Sequence, residues 1–273
     1  MSSVPLSNPL ERIVFVLHQP QDVNNVGAVV RLLGNFGLTR LRLVEPAAFD
    51  ADRILRVARR GEAVLAGIER FPSLDAALSD CAFIVGTTRR ARALDRPVLS
   101  PRQAAPILLT VTDADNSAEG TSTASGLAAV LFGPEDFGLS NAALDHCHAI
   151  LSIPTVPHDA SLNLAQAALL VAYELHLAVS VPPEQHTAPG MAALSLNTGD
   201  KLLATGAELD ALFDAARRML QILHDPPIEG RTNAALARLR AMVLRSIPRD
   251  DEVALLTSIF EHVAHALPRP RGE

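Results

Sequence analysis

Apolar residues fall along this chain in two rhythms. Short runs rich in β-branched and aliphatic residues, Ile13–Leu17, Leu41–Val44, Cys81–Val85, Ala128–Phe132 and His148–Ile153, each read as a buried strand. Between them apolar residues recur at helical spacing. Val26, Val29, Val30, Leu33 and Phe36 form one such set, stopped by Gly37. A helical stretch follows around Ala51–Arg60, then a short helix at Ser73–Ser79 with Ser73 as its cap. Ser161–Val179 is a long helix of mostly Leu and Ala, apolar enough to be buried on several sides. Strands alternating with helices predict an α/β fold with a mostly parallel sheet.

The pattern changes twice. Asp113–Gly126 is polar and low in complexity, which predicts a surface excursion. Pro182–Gly190 reads as a linker, and beyond it only helical patterns remain: Lys201–His224, Thr232–Ser246 and Asp250–Ala266. The expected organisation is a sheet domain over residues 1–180, a linker over 181–198 and a small all-helical C-terminal extension over 199–273. No internal repeat is evident.

Composition narrows the picture. The chain has 273 residues, 48% of them hydrophobic, enough for a sizeable core. No apolar run approaches the roughly 18 residues that span a bilayer. The opening MSSVPLSNPLER lacks the basic and apolar regions of a signal peptide. A cytoplasmic protein without membrane contact is expected. Net charge is −6, which argues against broad affinity for nucleic acid but leaves room for local basic patches. Arg53, Arg56, Arg59 and Arg60 form one cluster, read most simply as a solvated helix face. Arg89, Arg90, Arg92 and Arg96 form another, just after a strand end. Cys81 and Cys147 read as buried free thiols. His146 and His148 flank Cys147, but no second Cys or His cluster stands at zinc-site spacing, so no metal is expected.

Four strand ends carry unusual chemistry. The first is Asn25-Val26-Gly27 with Arg31 one turn on; Asn can cap and Gly permits close backbone approach. The second is Gly86-Thr87-Thr88 with Arg89 and Arg92. The third is the acidic turn Gly133 to Gly138, which follows a strand and precedes a helix start at Ser140-Asn141. The fourth is Ile153-Pro154, followed by Ser161-Leu162-Asn163 at the start of the long helix. A capped helix, a polar turn, a tight turn and an N-cap explain each singly. Their shared placement at strand ends, where open α/β sheets bind ligands, is more specific.

The segments NNVGAVVR (Asn24–Arg31), LFGPEDFGLSN (Leu131–Asn141) and SIP-x(6)-SLNLA (Ser152–Ala165) resemble the three ordered motifs of the SpoU, or SPOUT-class, RNA ribose methyltransferases. With GTTRRAR (Gly86–Arg92) and the helical tail, the chain is most similar to the TrmJ-type tRNA methyltransferases. The resemblance is strong over about Arg12–Val179 and weak in the tail.

That resemblance implies a sheet whose C-terminal segment is threaded into a trefoil knot, a topology that periodicity could not reveal. It implies S-adenosylmethionine as cofactor, held by Thr87, Thr88 and Arg89, by Gly133, Glu135 and Gly138, by Ile153, and by Ala160, Ser161 and Leu162. Backbone N–H and C=O groups at such turns suit an adenine edge. It makes Arg31 the catalytic residue, with Asn25, Ser161 and Asn163 shaping the site. Arg31, Arg90 and Arg92 become RNA contacts. For Glu135, holding its own loop is an equal alternative. A homodimer is implied, with Arg31 serving the partner subunit's cofactor loops. The substrate implied is a tRNA ribose, a pyrimidine nucleotide at the start of the anticodon loop.

Two positions depart from the TrmJ-type pattern. Pro134 stands where Arg is frequent, and Ala160 where Ser is frequent, which bears on the RNA target more than on the chemistry. Tail arginines Arg217, Arg218, Arg231, Arg238, Arg240 and Arg245 either reach the tRNA body or form a solvated face. Within the class the alternative is an rRNA ribose methyltransferase. Outside it stands a catalytically silent RNA-binding dimer, which the intact Asn25, Arg31, Ser161 and Asn163 set disfavours. A nicotinamide-dependent oxidoreductase has an acid at the end of strand two, Glu45. It lacks the G-x-G-x-x-G that should follow strand one.

Overall fold

The computed structural model describes residues 8–88, 96–113, 126–156, 161–180, 202–223 and 229–266. Its strands are β1 (Ile13–His18), β2 (Arg40–Val44), β3 (Glu69–Phe71), β4 (Cys81–Thr87), β5 (Val98–Leu99), β6 (Leu127–Phe132) and β7 (Ala149–Leu151). They form one sheet in the order β3-β2-β1-β6-β4-β7-β5, and every pair is parallel. The expected α/β class is therefore found, with no antiparallel pair in the sheet.

Both faces of the sheet are covered, which is why the inner strands β1, β4 and β6 are apolar almost throughout rather than alternating. Helices α1 (Val23–Asn35), α5 (Pro101–Asp113) and α7 (Leu164–Val179) cover one face. There Phe15 stacks on Phe132 with ring centroids 5.5 Å apart. Their neighbours include Val29 and Leu33 of α1, Leu108 of α5 and Leu175 of α7. Helices α4 (Leu74–Leu78) and α6 (Asn141–Leu144) cover the other face over Val14, Val16, Ile84 and Leu131. Each fully buried Phe or Leu stabilises the fold by roughly 1.5–3 kcal/mol before entropy is counted.

Several boundaries differ from the sequence reading. α1 begins at Val23, and Asp22, not Asn25, caps it by accepting from Asn24 N. α7 begins at Leu164 rather than Ser161; Asn163 is its cap, in a capping box with Gln166. β7 spans only Ala149–Leu151 of the expected His148–Ile153. Between α2 (Ala51–Val57) and β3 lies α3 (Glu62–Ala66), for which the sequence carries no clear period. β3 and β5 are edge strands of three and two residues, too short to show alternation. α5 was hidden by Pro101 and Pro106; Pro106 stands inside the helix, where Thr110 Oγ1 donates to its carbonyl.

The tail folds as α8 (Gly206–Leu223), α9 (Glu229–Ser246) and α10 (Asp250–Ala266) around Leu212, Phe213, Leu244 and Val253. The start of α8 seats on the end of α4: Ala207 N donates to Ser79 O at 2.9 Å, and a β-carbon at Gly206 would clash with the Leu78 carbonyl. The linker 181–198 and all but the ends of the polar excursion lie outside the described residues.

Candidate active site

β6 is inserted between β1 and β4, and β7 between β4 and β5, so late strands part pairs laid down earlier. The carboxyl ends of β4, β6 and β7 thus lie side by side, at the kind of position where α/β sheets take ligands. Thr87 and Thr88 come from the first, Phe132 and Gly133 from the second, Leu151 and Ile153 from the third. With the 134–139 turn, Ser161, Leu162 and Leu164 they line a cleft of about 190 Å³. Its walls are held locally. Thr88 N donates to Leu151 O at 3.1 Å, and Thr87 Oγ1 donates to Leu131 O at 3.0 Å.

The acidic turn depends on its glycines in two ways. A β-carbon on Gly133 would collide with the backbone of Gly138 and Leu139, so only Gly lets the turn fold back this tightly. Gly138 has φ +67°, the left-handed region, and its N–H closes the turn on Pro134 O at 2.8 Å. Phe137, at the rim, is 81% exposed.

Glu135 links this turn to the start of α1. Its carboxylate accepts from Asn25 Nδ2 at 2.8 Å, from Gln21 N at 3.0 Å and from Asp22 N at 3.3 Å. Asn25 in turn accepts from Asn163 Nδ2 at 3.0 Å, and Asn163 caps α7 through Ala165 N at 2.8 Å. One polar relay therefore ties three of the four strand-end motifs together. Partial burial opposes the Glu135 charge. The hydrogen bonds from Asn25 and the backbone outweigh it and hold the carboxyl below its ordinary value.

Thr87, Thr88, Gly133, Glu135, Gly138, Ile153, Ser161 and Leu162 all line the cleft. Asn25 and Asn163 stand behind it in the relay. Arg31 is exposed on α1 and is not among the lining residues of its own chain. Arg89, Arg90, Arg92 and Ala160 lie outside the described residues. The sequence reading missed Asp136, Phe137, Leu139, Thr155 and Ala167 as lining groups. The signal for Asp136 and Phe137 was their place inside the acidic turn.

Away from the cleft, both thiols are buried and form no disulfide, and burial pushes Cys147 up to about 12. Asp75, His146 and Asp210 bring ligand atoms within 4.8 Å of one another, but Asp210 is ion-paired to Arg240 at 3.0 Å. The Glu45 carboxylate accepts from Gln19 Nε2 at 3.0 Å.

A parallel sheet whose strand ends converge on a glycine turn and a capped helix forms a ligand site of the open α/β class. The SpoU rRNA Methylase family model matches residues 12–173. This chain belongs to that family. An uncharacterized tRNA/rRNA methyltransferase of Haemophilus influenzae is 30% identical over 254 residues, covering 93% of this chain and 95% of that protein. The tRNA (cytidine/uridine-2′-O-)-methyltransferase TrmJ of Photorhabdus laumondii is 34% identical over 169 residues, covering 62% of this chain and 66% of that protein. The crystal structure of TrmJ from Z. mobilis ZM4 superposes with a TM-score of 0.73 at 27% identity, covering 92% of this chain and 98% of the other.

Proposed function

We propose that this protein methylates a ribose 2′-hydroxyl of tRNA, using S-adenosylmethionine, at a pyrimidine nucleotide at the start of the anticodon loop. The observation that carries this is the convergence of Thr87–Thr88, Gly133–Gly138, Ile153 and Ser161–Leu162 on one cleft. Its apolar floor of Phe132, Leu139, Leu151 and Leu164 suits a flat heteroaromatic base. The turns around it offer backbone N–H and C=O groups to a base edge and a carboxylate. The family and the TrmJ relatives support the same activity.

When bound, the cofactor supplies an electrophilic methyl group on a sulfonium. Thr87, Thr88, Gly133, Ile153, Ser161 and Leu162 would hold that cofactor with its methyl group facing the ribose. The methyl would pass to the 2′-oxygen and leave a neutral thioether, and the hydroxyl proton would go to an RNA phosphate or to water. A guanidinium keeps its proton at neutral pH and is a poor acceptor. Arg31 instead fixes an RNA phosphate and stabilises the developing 2′-oxyanion, a task suited to its planar fork. The Glu135–Asn25–Asn163 relay positions the α1 start and the α7 start against the cleft.

The active unit is a cytoplasmic homodimer. α7 buries Leu164, Ala168, Val171 and Leu175 on its own sheet, yet leaves Leu169 at 43% and Tyr173 at 45% exposed, with Leu170 and Leu177 beside them. A second copy covers that apolar stripe. Arg31 then enters the partner's cleft, which agrees with its position outside its own. The C-terminal segment is threaded as a trefoil knot, in keeping with the late insertion of β7. Residues 1–180 form the methyltransferase domain, 181–198 the linker and 199–273 an accessory helical unit. Among the described residues no helix is long and apolar enough to cross a membrane.

The test is Arg31→Lys. Methyl transfer to tRNA is lost while calorimetry still shows S-adenosylmethionine binding and no NAD binding. Turnover near wild type in that variant excludes Arg31 as essential.

A further inference from the structure

We propose that Arg56, Arg59 and Arg60, at the turn joining α2 to α3, form a phosphate track along which the tRNA backbone runs toward Arg31. This rests on the RNA-methyltransferase reading above and assigns a binding surface to residues outside its motifs.

The chain carries 30 acidic against 24 basic side chains, so carboxylates for pairing are not scarce. Several arginines elsewhere use them: Arg42 binds Asp80, Arg96 binds Asp145, Arg102 binds Glu174 and Arg240 binds Asp210. Even Arg53 on α2 is engaged, by Asn24 at 3.1 Å and Asp22 at 3.7 Å. Arg56, Arg59 and Arg60 are exposed, and none has a hydrogen-bond or ion-pair partner among the described residues. Asp50 is occupied capping α2 through Arg53 N.

The backbone adds a second observation. Arg60 sits at φ +67°, the left-handed region that Gly or Asn enters with less strain. The following Gly61 packs so closely that a β-carbon would come 2.8 Å from both Ala58 and Val30. A strained, unpaired cation at an exposed turn is a feature that folding alone does not require.

The same packing sets the location. Gly27 of α1 lies against Ile54 and Val57 of α2, and Val30 lies against Gly61. Arg31 follows Val30 and stands one turn beyond Gly27, so it shares the α2 side of α1. The three arginines therefore border the residue placed at the reacting ribose. Phosphate contacts of this kind fix register and carry no sequence information.

The test uses the full chain and a transcribed tRNA, with binding measured from about 50 to 200 mM salt. Arg56→Gln/Arg59→Gln/Arg60→Gln weakens tRNA affinity about tenfold or more and lowers the salt slope by about 2, from roughly 0.7 per lost phosphate contact. Its kcat at saturating tRNA and its S-adenosylmethionine affinity stay at wild type. Arg60→Asn, tolerated in the left-handed region, alone weakens affinity without lowering Tm. A folded triple variant with wild-type affinity and slope overturns the track while leaving the activity standing. Arginine-dependent tRNA binding by a wild-type protein that transfers no methyl group overturns the activity and leaves the track.

Discussion

Glu135 and Asn25 are 110 positions apart in sequence, yet the carboxylate accepts the Asn25 amide at 2.8 Å. Through that bond the β6 turn sets where α1, and with it Arg31, begins. Glu135→Ala leaves the Gln21 and Asp22 N–H groups without this partner. At a half-open site that costs about 1 kcal/mol of stability. Transfer falls much further, at least tenfold in kcat, with cofactor affinity changed little. Stopped assays with labelled cofactor, beside a melting curve, separate the two effects.

The same pair makes a pH prediction. The Glu135 carboxyl is held below its ordinary value in the folded protein, so its contribution is present above the unfolded value of 4.5. It is lost as pH falls through the folded value. The Tm advantage of wild type over Glu135→Gln is therefore constant near neutrality and shrinks below about pH 4.5. An advantage that grows on acidification contradicts this.

The two turn glycines behave differently. Gly133→Ala drives a methyl group into the Gly138–Leu139 backbone, so the turn must open and S-adenosylmethionine binding is lost. Gly138→Ala meets no atom within 4 Å and suffers only the left-handed backbone strain, roughly 1 kcal/mol. Calorimetry should show near-normal binding for Gly138→Ala and none for Gly133→Ala.

His148 sits at the mouth of β7, fully buried against Phe83, with Ile84 N donating to its Nδ1 at 3.2 Å. Burial, aided by nearby Arg96, pushes its pKa down to about 3. The unfolded chain protonates this imidazole below about pH 6.5 while the folded protein does not, so stability falls as pH drops from 6.5 toward 3. His148→Gln keeps an acceptor for Ile84 N but does not titrate. Its Tm profile between pH 7 and 4 is flatter than wild type; parallel profiles refute the assignment.

The exposed stripe on α7 predicts a two-copy particle. Leu169→Glu/Tyr173→Glu places charges there without touching the buried Ala168, Val171 and Ala172. Sedimentation shows wild type at twice the chain mass and the double variant at one chain mass, and transfer falls about a hundredfold. A double variant that stays dimeric puts the interface elsewhere.

Much of this was legible in the chain. β1, β4 and β6 announce themselves because a doubly covered parallel sheet needs nearly unbroken apolar runs, and β2 does so through Leu41, Leu43 and Val44 despite Arg42. The glycine turn does so because a strand stopping at Gly133-Pro134 leaves few conformations. β3 and β5 were invisible: two or three residues at a sheet edge carry no period. α5 was masked by its own prolines. Asn25 was recognised as a residue that shapes the site, but the helix cap it was also offered belongs elsewhere. Asp22 three positions earlier takes the cap, which frees the Asn25 side chain for Glu135 and Asn163. That contact spans the whole domain, and local sequence cannot encode it. The linker and the Arg89–Arg92 segment fall outside the described residues, so their placement adds nothing to this comparison.

The central claim is methylation of a ribose oxygen rather than a base. It is tested most directly with two tRNA transcripts, one unmodified and one carrying a single 2′-deoxynucleotide at the start of the anticodon loop. Methyl incorporation from S-adenosylmethionine should occur in the first and vanish in the second. Equal incorporation into both, or none into either, contradicts the account.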